Sequence, residues 1–319
     1  MDGLACSAGM ARQPGRPRRS ELDLVRAAAE VWEQDEQTIG FLARLFAQTS
    51  LPYRDPGDVP MWGRRNGNLS LVVQPGMVVE RDGTGRSLGY PFGTIPRLLL
   101  TWMSTEAVKT KSPELALGAS LADFMRALDL QPSGGRNGSV GRLRTQMERL
   151  FQATLSVRWD GDGTRESGGR LNIASAYDLW WADRNPEHPT LMPSTVRLSA
   201  DFFNEVVTRP VPVDVKALRA LRGSPLRLDL YCFLTYRFSY LRRRTEIPWE
   251  SLRAQFGSNN AATPQGRAQF RKDLERNLRE VLLIYRDAQV EVTRTGLVLV
   301  PSRTHVPFRG LKELASGSA

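Results

Sequence analysis

The stretches "IPWESLRAQFG" (residues 247–257), "FRKDLERNLREVLLIY" (270–285) and "AQVEVTRTGLVLVPS" (288–302) decide the fold. In the second, Phe270, Leu274, Leu278, Val281, Leu282 and Tyr285 recur at helical spacing and define one apolar face. Lys272, Arg276 and Arg279 fall on the opposite face. The first stretch is a short helix stopped by Gly257, and the third holds two alternating strands that meet at a turn containing Gly296. A short helix, a turn, an amphipathic helix and a hairpin are the parts of a winged helix. In that fold the second helix enters the DNA major groove, whose width of about 12 Å admits one α-helix.

Working upstream, the same parts recur. Pro96 opens a helix through "RLLLTWMSTEAVKT", where its missing N–H has no intrahelical partner. "PELALG" is a short strand, Ser120 an N-cap for "LADFMRALDL", and "SGGRNGS" a turn leading into "VGRLRTQMERLFQ", with Val140, Leu143, Met147, Leu150 and Phe151 on one face. "TLSVRW" and a strand near "RLNIASAYDLWW" then form the expected first hairpin. "STVRLS", "ADFFNEVV" and a long helix around "SPLRLDLYCFLTYRFSYL" open the second unit.

The expected architecture is α+β: two tandem winged-helix domains, at 93–193 and 194–306, behind an N-terminal extension at 21–92 that packs on the first. Within the extension, 21–48 reads as helical, and "LSLVVQPG" with "MVVERDG" as strands joined by a hairpin or loop at Pro75 and Gly76. Residues 1–20, with Arg12, Arg16, Arg18 and Arg19 among prolines, read as a disordered basic leader without the apolar core of a signal peptide, and 307–319 as a flexible tail.

Composition points the same way. The 319 residues carry 44 Lys and Arg against 34 acidic side chains, a formal charge of +10 that favours a polyanionic partner. Apolar runs fall short of the roughly 20 residues a spanning helix needs. Two cysteines, Cys6 and Cys232, make no disulfide framework and fit a reducing cytoplasm. His188 and His305 lie beside prolines, far from the cysteines, so neither suggests a metal site, and a rolling-circle nickase cannot assemble its His-hydrophobic-His motif. "GGRNG" lacks the Gly-Lys-Ser/Thr ending of a P-loop, which argues against an ATP-driven helicase. No catalytic residue, metal or cofactor is assigned. Trp180, Trp181 and the aromatic run Tyr231, Phe233, Tyr236, Phe238, Tyr240 are expected in cores or junctions, which argues against a coat protein that stacks on single-stranded bases.

Candidate DNA contacts follow from the helix faces. In the first unit they are Arg142, Thr145 and Arg149, with Arg144 and Gln146 at the margins. In the second they are Arg267, Gln269, Arg271, Lys272, Arg276 and Arg279. The wings offer Arg158, Arg165 and Arg294. Arginine bridges guanine O6 and N7, and glutamine pairs with adenine, each contact contributing roughly 1–3 kcal/mol of base discrimination.

"YPFGTIPRLLLTWMSTEAVKTKSPELALGASLADFMRALDL", "RLRTQMERLF", "RALRGSPLRLDLYCFLTYRFSYL", "IPWESLRAQFG" and "GLVLVPS" resemble the plasmid-encoded RepA family of replication initiators of broad-host-range plasmids, over about Gly40 to His305. The resemblance implies binding to directly repeated iterons at a theta-type plasmid origin, opening of adjacent AT-rich DNA, and recruitment of the host initiator and replicative helicase. It also implies monomers that initiate and dimers that repress or couple origins. The alternative on the same fold is a sequence-specific (auto)repressor.

Overall fold

The computed structural model describes residues 19–33, 37–133, 135, 138–161, 166–179, 194–257 and 263–307. The chain opens with α1 (Arg19–Trp32), β1 (Ile39–Ala43) and α2 (Arg44–Gln48). The strands β2 (Trp62–Asn66), β3 (Leu69–Gln74), β4 (Met77–Val79) and β5 (Gly85–Ser87) complete the extension. Next come α3 (Thr94–Thr110), β6 (Glu114–Ala116), α4 (Leu121–Ala127), α5 (Ser139–Gln152), β7 (Thr154–Asp160), β8 (Glu166–Asn172), β9 (Ala174–Asp178) and β10 (Thr195–Leu198). A linking group follows, of α6 (Ala200–Thr208), β11 (Pro210–Asp214) and α7 (Val215–Leu221). The last set is α8 (Pro225–Tyr240), β12 (Thr245–Pro248), α9 (Trp249–Phe256), α10 (Pro264–Ile284), β13 (Gln289–Val292) and β14 (Gly296–Val300). The fold is mixed α+β.

Local chemistry sets many helix starts. Ser120 accepts the Asp123 N–H at 3.1 Å to start α4, and Ser199 accepts that of Phe202 to start α6. Asp214 takes the N–H groups of Lys216 and Ala217, and Thr263 takes that of Gly266 just ahead of Pro264.

A repeat is visible in topology. The sheet β12-β14-β13 at the C-terminal end has its counterpart in β6-β10-β9, each threaded by a strand, two helices and two further strands, and each preceded by a long helix, α8 or α3. The β7–β8 hairpin is an insertion in the first copy. It pairs along its whole length, and β7 is joined on its other edge by β3 with Leu71 opposite Val157, giving the sheet β2-β3-β7-β8. The first hairpin expected from the sequence therefore belongs to a sheet completed by the extension. The second strand expected after β7 divides into β8 and β9, and β9 pairs with β10. Strand β10, expected at the head of the second unit, is hydrogen-bonded between β6 and β9 of the first.

The extension also departs from expectation. Ile39 and Leu42 lie on a strand, because β1 pairs with β11 and the Phe41 N–H is taken by Thr105 Oγ1 at 2.8 Å. Gly40 permits that approach: a Cβ there would lie 2.9 Å from Val215 Cγ2. Strands β3 and β4 are not paired with each other; β4 pairs with β5. Helix α1 packs on α7 and α10 while β1 packs on α3 and β3 pairs with β7, so the extension reaches both copies.

At the junction of the copies, Arg97 of α3 meets Asp229 of α8, both side chains 8% exposed. Nε and Nη2 donate to the two carboxylate oxygens at 2.7 Å each. The remaining N–H groups go to the carbonyls of Leu51, Pro52 and Gly93. Burial alone would lower the Arg97 pKa; the charge and hydrogen bonds of Asp229, helped by Tyr53 and Cys232, hold it above the ordinary value, while burial pushes the Asp229 carboxyl up against the pull of Arg97. One side chain thus ties the extension to the leading helices of both copies.

Candidate nucleic-acid interface

Helix α10 buries Phe270, Leu274, Leu278, Val281 and Ile284 and turns Arg267, Gln269, Lys272, Arg276 and Arg279 outward. Lys272 makes no ion pair among the described residues. Arg276 pairs with Asp273 at 2.8 Å, Gln269 donates to the same carboxylate at 3.0 Å, and Arg279 Nε donates to the Glu275 carbonyl at 3.3 Å. Exposed pairs of this kind are worth about 0–1 kcal/mol, so phosphates can displace them at little cost. Arg294 stands exposed in the β13–β14 turn, next to Thr293, whose carbonyl accepts from Arg271 of α10 at 3.3 Å.

Arg271 has a different role. Its Nε pairs with Glu275 at 2.6 Å, Nη2 donates to the Thr293 carbonyl, and the guanidinium sits 4.9 Å from the centre of the Trp249 ring. It braces α10 against α9 and the turn. Glu250 of α9 is held below the usual carboxylate range chiefly by its hydrogen bond from Arg253, with Arg267 adding to the effect. Helix α10 packs on α9.

On α5, Arg142, Arg144 and Thr145 are exposed, opposite buried Leu143, Met147, Leu150 and Phe151. Two expected contacts are turned inward. Gln146 is 6% exposed, and its carbonyl oxygen accepts the Phe92 N–H at 2.8 Å. Arg149 pairs with Asp55 at 2.9 Å, donates to the Tyr90 carbonyl and lies over the Phe92 ring. Gly89, at φ +79°, makes room for it: a Cβ there would be 2.9 Å from Arg149 Cζ. Residues 89–92 cover this side of α5, so its outward face is narrower than helical periodicity implies.

Arg158 lies on β7, exposed, with Asp160 at 2.6 Å and Glu166 at 2.9 Å, and these two carboxylates raise its pKa. By topology the first copy's counterpart to β13–β14 is β9–β10, where Arg197 is exposed and ion-paired with Glu114. Arg165, Trp180, Trp181 and His188 lie outside the described residues. Sequence reasoning missed β9–β10 as a pair because residues 179–194 separate the strands, too long a connection to carry a turn signature. His305 is tied into the interior, its Nδ1 2.8 Å from the Tyr231 hydroxyl, and Cys232 is buried, which raises its thiol pKa. Among the described residues there is no cluster of His, Cys, Asp or Glu suited to a metal, and no helix long and apolar enough to cross a membrane.

A comparison with curated proteins returns no match. Among solved structures, the chain is similar to a selenomethionine derivative of domains 2 and 3 of RctB, at 13% identity and a TM-score of 0.50, covering 83% of this chain and 100% of that one. A second structure of RctB domains 2–3 aligns at 13% identity and a TM-score of 0.44, covering 80% and 94%. The likeness to the first is one of fold. The family model described as plasmid-encoded RepA protein matches residues 90–250, half of the chain. With that match spanning α3 through the start of α9, the chain belongs to the plasmid-encoded RepA family of plasmid replication proteins.

Proposed function

We propose that this protein initiates replication of its plasmid by binding iteron repeats at the origin through two tandem winged helices. The observation that carries the reading is the repeated order of long helix, strand, two helices and paired strands, with the outward side of α10 carrying Arg267, Lys272, Arg276 and Arg279. In a winged helix the second helix of the pair lies in the major groove, with its N-terminal residues nearest the bases. That assigns base contacts to the start of α10, at Arg267 and Gln269, and phosphate contacts to Lys272, Arg276, Arg279 and Arg294. Helix α5 contributes Arg142, Arg144 and Thr145.

Origin opening then draws on binding energy, supercoiling and host proteins, with the host initiator and replicative helicase as partners and no catalytic site or cofactor in this chain. Monomers would act at the origin, and dimers at the protein's own promoter. The reading places the protein in the bacterial cytoplasm with its plasmid. The test is complementation: a plasmid deleted for its own initiator gene should be maintained when this protein is supplied in trans. Protein that binds the origin but fails to maintain the plasmid is the repressor alternative on the same fold.

A further inference from the structure

Arg64 on β2 is a cation without a counter-ion among the described residues. Its Nη1 donates to its own neighbour's carbonyl, Gly63, at 2.8 Å, and the guanidinium lies 4.4 Å from the centre of the Trp62 ring. Its Nε is buried without a hydrogen-bond partner. Burial lowers its pKa to about 10, and nearby Arg253 of α9 pushes the same way, against an opposing effect of Tyr53. Arg253 has its own counter-ion in Glu250 at 2.7 Å, whereas the half-buried Arg64 guanidinium, with its Nε buried and unpaired, is costly to keep charged unless an anion joins it.

The surroundings say where that anion comes from. Strand β2 is the edge of its sheet and packs on α9. The contact is fixed from the other side: the Ser50 hydroxyl donates to the Gln255 carbonyl at 3.0 Å, and Gln255 Nε2 donates to the Gln48 carbonyl at 2.8 Å. Basic residues sit on each of the elements that meet here: Arg267 at the start of α10, Arg253 on α9, where it pairs with Glu250 at 2.7 Å, and Arg64 on β2. In a helix-turn-helix the first helix, here α9, crosses the sugar-phosphate backbone while the second lies in the groove.

We propose that Arg64, with Arg253 beside it, binds a backbone phosphate of the same DNA that α10 reads, so that the N-terminal extension forms part of the DNA-binding surface. The proposal rests on the reading of α10 as a DNA-binding helix. The phosphodiester supplies the negative charge that Arg64 lacks among the described residues. It also carries the DNA track from α10 toward the sheet that holds Arg158.

The test uses the full chain, a duplex carrying the plasmid's origin repeat and a random-sequence duplex of equal length. Arg64→Met keeps the apolar stem against Trp62, and Arg64→Lys keeps the charge. For Arg64→Met, the slope of log affinity against log salt should shrink by about 0.9 on both duplexes, the amount for one lost phosphate contact. Ethylation interference should lose one phosphate position relative to wild type, and Arg64→Lys should retain that position. An unchanged slope and interference pattern in Arg64→Met overturns the proposal, as does weaker binding at unchanged slope, which is what a merely structural role produces. Wild type that binds neither duplex at low salt overturns the α10 reading and the proposal with it.

Discussion

Asp229→Ala should be one of the most destabilising single changes in the chain. It deletes the carboxylate that takes two of the Arg97 N–H groups at 2.7 Å each and leaves the guanidinium, 8% exposed, with only the carbonyls of Leu51, Pro52 and Gly93. Breaking a buried pair from one side costs about 3–5 kcal/mol, because the surviving charge stays desolvated. The double replacement Arg97→Met, Asp229→Leu removes both charges and keeps apolar volume. It should recover most of that loss, since hydrophobic replacement of a whole buried pair is often neutral or stabilising. Urea unfolding followed by tryptophan fluorescence, comparing midpoints at matched slope, measures both. A loss below about 1 kcal/mol for Asp229→Ala, or a double variant no better than the single one, would refute the view that this pair is a desolvated clamp between α3 and α8.

Gln146→Ala should leave affinity for the origin repeat unchanged within twofold while lowering stability by about 1–2 kcal/mol, since its carboxamide serves Phe92; a large loss of affinity at unchanged stability would restore it to the DNA face. Burial lowers the His305 pKa below its ordinary value of 6.5, with Asp214 and Asp287 opposing. Below pH 6.5 the unfolded chain therefore binds this proton before the folded one does, so stability is full above that pH and declines as the pH falls, by at most about 1.4 kcal/mol per pH unit. Unfolding midpoints between pH 7.5 and 5 check it, and His305→Gln should flatten that part of the profile; an equal decline in the variant removes His305 as the cause.

How much was legible in the sequence depended on how local each signal was. The apolar row from Phe270 to Val281 and the Ser120 cap are written into neighbouring residues, and both elements form where the pattern places them. Ile39 and Leu42 fit a helical spacing as well as a strand, and only pairing with β11, far along the chain, decides between them. The β7–β8 hairpin was legible as a hairpin, but not its capture by β3 or the pairing of β9 with β10 as the topological counterpart of β13–β14. On α5, periodicity separates the apolar face from the rest. It carries no information about residues 89–92, which fold over Gln146 and Arg149. Arg64 was missed for a related reason: the burial of its Nε depends on how β2 is placed in the folded chain, against α9, which its neighbours in sequence do not reveal.

The most direct test of the central claim is footprinting of supercoiled origin DNA with wild type and an Arg276→Ala, Arg279→Ala double variant, both side chains being exposed on α10. The account predicts protection of regularly spaced repeats by wild type, weakening steeply with salt, and loss of that protection in the variant at equal thermal stability. Equal protection of the same repeats by the variant, or no protected repeats with wild type, would contradict it.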